Sequence, residues 1–68
     1  MDELKKVRFC TRRDIVEEDE QGEWRTIFTK GQMYFGVTDG MTFYSSKANH
    51  PGTYSIHIRH VKDSIQLA

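Results

Sequence analysis

The chain has a single cysteine, Cys10, a single proline, Pro51, and no long apolar run. Each shortage excludes something. One thiol cannot close an intramolecular disulfide or build a multi-cysteine zinc site, and it suits a reducing compartment. No stretch approaches the length of a membrane span, and the opening residues, MDELKKVRF, lack the apolar segment of a signal peptide. The expectation is a soluble cytoplasmic protein with no membrane association. With 68 residues there is room for one domain, 1–68, built on one modest core.

A net excess of charge is missing as well, since ten Lys and Arg face ten Asp and Glu. The charges are nevertheless segregated. Asp14, Glu17, Glu18, Asp19, Glu20 and Glu23 follow one another with no Lys or Arg among them, while Lys5, Lys6, Arg8, Arg12 and Arg13 precede them. From Trp24 onward Arg25, Lys30, Lys47, Arg59 and Lys62 outnumber Asp39 and Asp63. A block of like charge is ordinarily a solvated loop. Its sharper use is an acidic lobe that docks on a basic partner or imitates nucleic-acid phosphates.

The period of the apolar residues is that of β-structure almost throughout. Lys5 to Arg12 alternates, with Val7 and Phe9 on one side and Lys6, Arg8 and Arg12 on the other. Arg13 to Gly22 loses the alternation and reads as a long loop or a splayed hairpin. Glu23 to Gly40, EWRTIFTKGQMYFGVTDG, then runs through a Lys30-Gly31 turn, a strand over Gln32 to Thr38 and an Asp39-Gly40 turn. Met41 to Ser46 alternates again, and Asn49, Pro51 and Gly52 mark another turn. Thr53 to Arg59 places Tyr54, Ile56 and Ile58 on one face. A short helical turn within His60 to Ser64 then precedes a last strand at Ile65 to Leu67.

Phe9, Phe28, Phe43, Ile56 and Ile58 are the expected core. In Gln32 to Thr38 the pleat turns either Met33, Phe35 and Val37 inward, or Tyr34 and Gly36. The first set is the more apolar and is favoured. A bulge near Gly36 would reconcile the two.

Five short strands, a long first loop, tight turns and one short 3-10 turn before the last strand resemble the SH3-like barrel. The resemblance runs from Val7 to Leu67. Phe28-Thr29-Lys30-Gly31-Gln32 is similar to the turn that leads SH3 domains from the first long loop into the second strand. The spacing of Lys30, Gly31, Gln32 and Tyr34 also resembles small SH3-like proteins of bacteriophages and prophages. The resemblance implies an all-β, five-stranded antiparallel barrel and an accessory role exerted on a host protein. Peptide-binding SH3 domains carry an Ala-Leu-Tyr-aromatic segment, a Trp pair opening the third strand and a Pro-x-x-Tyr near the last turn. Here those places read Cys10-Thr11-Arg12-Arg13, Met41-Thr42-Phe43 and Arg59-His60-Val61-Lys62. Without those rings no slot grips a polyproline helix.

Chemistry-bearing residues are few. Cys10 with His50, His57 or His60 is the only formal nucleophile–base pairing, and a cysteine in a strand ordinarily packs as a small hydrophobe. His57 and His60, three apart, point to opposite sides of an extended strand and chelate nothing unless the chain turns helical between them. No glycine loop opens a helix to cradle a phosphate. The reading is a non-enzymatic protein-interaction module with no catalytic residues, metal or cofactor, acting as a monomer or weak homodimer. Trp24, Tyr34 and Tyr44 are its candidate anchors, with Glu17, Glu18 and Glu20 steering a basic partner. The alternative is a nucleic-acid-binding small barrel that uses Lys6, Arg8 and Arg12.

Overall fold

β-Branched and aromatic residues at alternating positions, interrupted by Asp, Asn and Gly, favour short strands joined by tight turns. The computed structural model, which describes residues 3–68, follows that pattern. Its strands are β1 (Lys5–Thr11), β2 (Ile15–Glu18), β3 (Trp24–Phe28), β4 (Tyr34–Thr38), β5 (Thr42–Ser45), β6 (Tyr54–His57) and β7 (Val61–Gln66). A 3-10 turn, Ile58–His60, joins β6 to β7. The main sheet is a curled antiparallel array in the order β6-β5-β4-β1-β7, and β2 and β3 form a separate antiparallel hairpin. None of the described helices is long and apolar enough to cross a membrane.

The all-β expectation therefore holds, with seven strands in two sheets instead of five. The extra pair is a hairpin of Ile15–Glu18, within the segment read as a long loop or splayed hairpin, with Trp24–Phe28, which follows that segment. Its turn is held by one side chain. Asp19 Oδ1 accepts from the Gln21 and Glu23 amides at 2.8 and 2.9 Å, and Asp19 Oδ2 accepts from Arg25 Nε at 2.7 Å. Lys30-Gly31 makes the next turn. The Gln32 amide donates to the Thr29 carbonyl at 3.1 Å, with Gly31 at φ 79°, a left-handed value that glycine adopts without steric cost.

The core lies on the inner face of the main sheet. Phe9 is its centre, with ring centroids 5.7 Å from Phe28, 6.3 Å from Tyr34 and 5.3 Å from Phe43. Val7, Ile27, Ile56 and Val61 complete the cluster. Phe9, Phe28, Phe43 and Ile56 are thus buried as expected, and Ile58 is not, at 40% exposed. The reason is local. The His57 ring accepts from the Arg59 amide, so the chain leaves strand geometry at Ile58 before the alternation can carry that side chain inward. The same cap places the 3-10 turn ahead of the expected His60 to Ser64, and β7 begins at Val61.

The register of β4 is the less apolar of the two alternatives. Tyr34 pairs with Phe9 and Gly36 with Val7, so Tyr34 and Gly36 face the core while Phe35 faces out at 53% exposed. Met33 is also exposed, and Val37 is half-buried. Two facts make this register stable. The Tyr34 hydroxyl accepts from the Thr29 amide at 2.7 Å and donates to Asn49 Oδ1 at 3.0 Å, so the phenol is buried with its polar end satisfied. Gly36 leaves room where β4 crosses closest to β5. The pairing of β1 with β4 runs through Gly36 without a shift, and the register shifts fall at Cys10/Thr11 and Ile15/Val16.

Candidate interaction site

The β2–β3 hairpin presents the most exposed large side chain. Trp24 opens β3 opposite Glu18 and is 68% exposed. Val16 pairs with Thr26, which puts Val16 diagonal to Trp24 on the same face of the hairpin, and Val16 is exposed as well. Glu18 shares that face, Glu17 turns to the opposite one with its partner Arg25, Glu20 lies in the turn, and all three are exposed. Glu17 stands across from Arg25, but the Arg25 guanidinium is drawn to Asp19 at 2.7 Å and reaches Glu23 at 3.8 Å. The three glutamates make no ion pair among the described residues. The hairpin therefore shows an apolar pair beside Glu18, with further unpaired negative charge at its turn and on its opposite face.

The electrostatics of the turn reinforce this. Backbone donation from Glu23, followed by the Arg25 hydrogen bond, holds the Asp19 carboxyl below the ordinary aspartate range. That hydrogen bond, and then the charge of Asp19, in turn raises the pKa of Arg25. A notch of 120 Å³ lies against the hairpin, walled by Glu17, Glu18 and Asp19 and floored by Ile27 and Tyr54, with Arg25 at its side. Carboxylate walls over an apolar floor suit one long cationic side chain, whose stem packs while its head pairs.

The other expected anchors lie elsewhere. Tyr34 is only 2% exposed and serves the core, which removes it as a contact residue. Tyr44 is half-buried on β5 and faces outward with Val37, its cross-strand partner. Val37 in turn pairs with Lys6, so Tyr44 shares the outer face of the sheet with Lys6 and Arg8 and not with Trp24. Arg8 sits between Phe35 on β4 and Ile65 on β7, both of them over half exposed. The Arg8 Nε is shielded from solvent and has no hydrogen-bond partner among the described residues. Arg12 is separate from this group. It occupies the bend after β1, where its amide donates to the His60 carbonyl at 2.9 Å.

Sequence reasoning missed Val16, Phe35, Ile65 and Asn49. Phe35 belongs to the set that the favoured register turns inward, Val16 falls in the segment read as a loop or splayed hairpin, and Ile65 in a last strand too short to show a period. Asn49 reads as a turn residue, yet its Nδ2 reaches Thr26 O at 3.3 Å and Thr29 Oγ1 at 3.0 Å, tying the β5–β6 loop to the end of the hairpin.

The remaining polar groups are dispersed. Cys10 is buried, and it makes no hydrogen bond with a histidine among the described residues. His57 is engaged with the Arg59 amide, and His60 Nδ1 lies 3.4 Å from Arg13 Nη2. No group of three or more His, Cys, Asp or Glu among the described residues is placed to hold a metal. At the open end of the inner face a cleft of 570 Å³ has Val7, Phe43 and Ile58 as its apolar part and Lys5 and Asp39 at its polar part. No family model, no curated protein and no solved structure matches this chain.

Proposed function

We propose that the chain is an SH3-like barrel that works as a non-enzymatic protein-interaction module, binding a basic partner through the hairpin that carries Trp24. The barrel likeness is supported by the strand order β6-β5-β4-β1-β7, the hairpin inserted between β1 and β4, and the 3-10 turn ahead of the last strand. The single observation that carries the binding role is Trp24, an indole 68% exposed on a hairpin whose turn is fixed by three hydrogen bonds to Asp19. An exposed indole forgoes a large burial in the free protein and recovers it against a partner. A pre-ordered hairpin loses little conformational freedom when it docks. Glu17, Glu18 and Glu20 select for a cationic partner and speed its approach.

The test is affinity capture from lysate of the cell that encodes the chain, with and without nuclease. Wild-type protein is compared with Trp24→Ala and with the triple variant Glu17→Lys, Glu18→Lys, Glu20→Lys. The proposal expects a protein retained after nuclease treatment and lost with both variants. Equal capture by all three forms, or no protein retained after nuclease, contradicts it.

A further inference from the structure

The second exposed apolar surface belongs to a different sheet and a different chemistry. Two rows of side chains cross the outer face of the main sheet. One is Phe35, Arg8 and Ile65, lateral neighbours on β4, β1 and β7. The other passes through Lys6, Val37 and Tyr44 on β1, β4 and β5. Because Val37 is opposite Tyr44, Phe35 is diagonal to Tyr44, within reach for two aromatic rings on adjacent strands. An exposed phenylalanine and a half-buried tyrosine thus lie beside two cations, and neither Lys6 nor Arg8 has a carboxylate partner among the described residues.

From this juxtaposition we infer that the outer face is a platform for single-stranded nucleic acid, with Phe35 and Tyr44 stacking on bases and Lys6 and Arg8 contacting phosphates. The inference is independent of the hairpin's role. Aromatic rings next to unpaired cations answer the two needs of a single strand, a flat apolar partner for each base and a positive charge for each phosphate. Charge placement supports this occupant over an acidic or a basic protein. Glu17, Glu18, Asp19, Glu20 and Glu23 lie on the hairpin, in the other sheet, and the one acid that the strand pairing places on this face is Asp63, across from Cys10 and diagonal to Arg8. β4 and β1, which carry Phe35, Lys6 and Arg8, are interior to the sheet, so a protein strand could add only beyond Ile65, at the edge strand β7. Arg8 is flanked in the sheet by Phe35 and Ile65, and its Nε is shielded from solvent with no hydrogen-bond partner among the described residues.

The test is fluorescence anisotropy with a labelled oligo(dT) of about 12 nucleotides, against the same strand annealed to oligo(dA). Near 20 mM salt the wild type is expected to bind the single strand more tightly than the duplex. Log affinity should fall against log salt with a slope of about −1.4, as for two phosphates on a single strand. Phe35→Ala should weaken binding roughly fivefold or more. Lys6→Glu should weaken it clearly more than Lys5→Glu, the same charge change on the opposite face of the same strand. Melting curves on each variant separate lost binding from lost fold, and Phe35 and Lys6 are exposed enough for the variants to remain folded. Absence of binding, equal binding of duplex, or equal effects of Lys5→Glu and Lys6→Glu overturns the inference. Full displacement by poly-glutamate but not by unlabelled oligo(dT) overturns it in favour of a protein ligand.

Discussion

A Cβ at position 36 would collide with the Tyr44 carbonyl oxygen and stand 3.0 Å from its carbon. Both atoms are backbone and cannot swing aside. Gly36 therefore sets how closely β4 approaches β5, and with it the curl of the sheet that encloses Phe9 and Tyr34. Gly36→Ala is expected to cost about 3 kcal/mol or more, a large fraction of the stability of so small a domain. Thermal melting checks this, with Gly31→Ala as a comparison that meets no atom within 4 Å and carries only the strain of φ 79°. A Gly36→Ala protein that melts close to wild type would contradict the packing described.

Tyr34 offers a second test of the core. Tyr34→Phe keeps the ring against Phe28, 4.9 Å away edge-on, but leaves the Thr29 amide and the Asn49 carboxamide without the hydroxyl. Loss of about 1–3 kcal/mol is expected from those unsatisfied groups. Phe28→Ala, which removes a whole ring from the same cluster, should cost roughly 3–5 kcal/mol. Urea denaturation ranks the two, and a milder effect for Phe28→Ala than for Tyr34→Phe would contradict the account.

Acid should loosen two turns before it unfolds the sheet. Asp19 is held below its ordinary pKa chiefly by the Glu23 amide, and Asp39 by the amides of Thr42 and Met41. A carboxylate whose folded pKa is depressed contributes stability that is present above the unfolded value, about 3.9, and disappears as pH falls through the folded value. The protection of the Gln21, Glu23, Met41 and Thr42 amides, measured against their intrinsic exchange rates at each pH, should therefore fall below about pH 4. Asp19→Ala should bring fast exchange at Gln21 and Glu23 up to neutral pH and leave Met41 and Thr42 protected.

His60 acts in a higher window. Burial, and then the charges of Arg13 and Arg59, lower its pKa. A base with a depressed folded pKa destabilises the fold once pH drops through the unfolded value near 6.5, and the loss levels off below the folded value. The melting temperature should decline over that range and flatten beneath it, and His60→Asn should remove that part of the pH dependence. A decline of equal size in His60→Asn would assign it to other groups.

Much of the architecture is legible in the sequence because turn chemistry is local. Lys30-Gly31 and Asp39-Gly40 state where strands stop, and the alternation of Val7 with Phe9 states which side of β1 is buried. Phe35 shows where legibility ends. Period two gives two registers for Gln32 to Thr38, and apolar content favours the wrong one. What decides is the crossing at Gly36 and the hydrogen bonds waiting for the Tyr34 hydroxyl, both of them contacts with residues distant in sequence. Ile58 fails for the opposite reason. Its alternation is clean, and the His57 side chain captures the Arg59 amide and ends the strand one residue too soon. Of the candidate site, Trp24 and the glutamates are visible from composition and charge. Their meeting with Val16 is not, because it needs the pairing of Glu18 with Trp24 across a segment that has no alternation of its own.

The most direct test of the binding role uses the chain's only tryptophan. Trp24 is 68% exposed, so its emission in the free protein should be that of a water-exposed indole, and with the partner's own emission subtracted a change that is lost in Trp24→Phe reports the proposed contact. Adding the partner captured from lysate is expected to shift that emission to shorter wavelength. Saturation should require more partner as salt rises, and more again in the Glu17, Glu18 and Glu20 reversal. Saturated binding that leaves the Trp24 spectrum unchanged would contradict the account, since the hairpin face would then be bare in the complex.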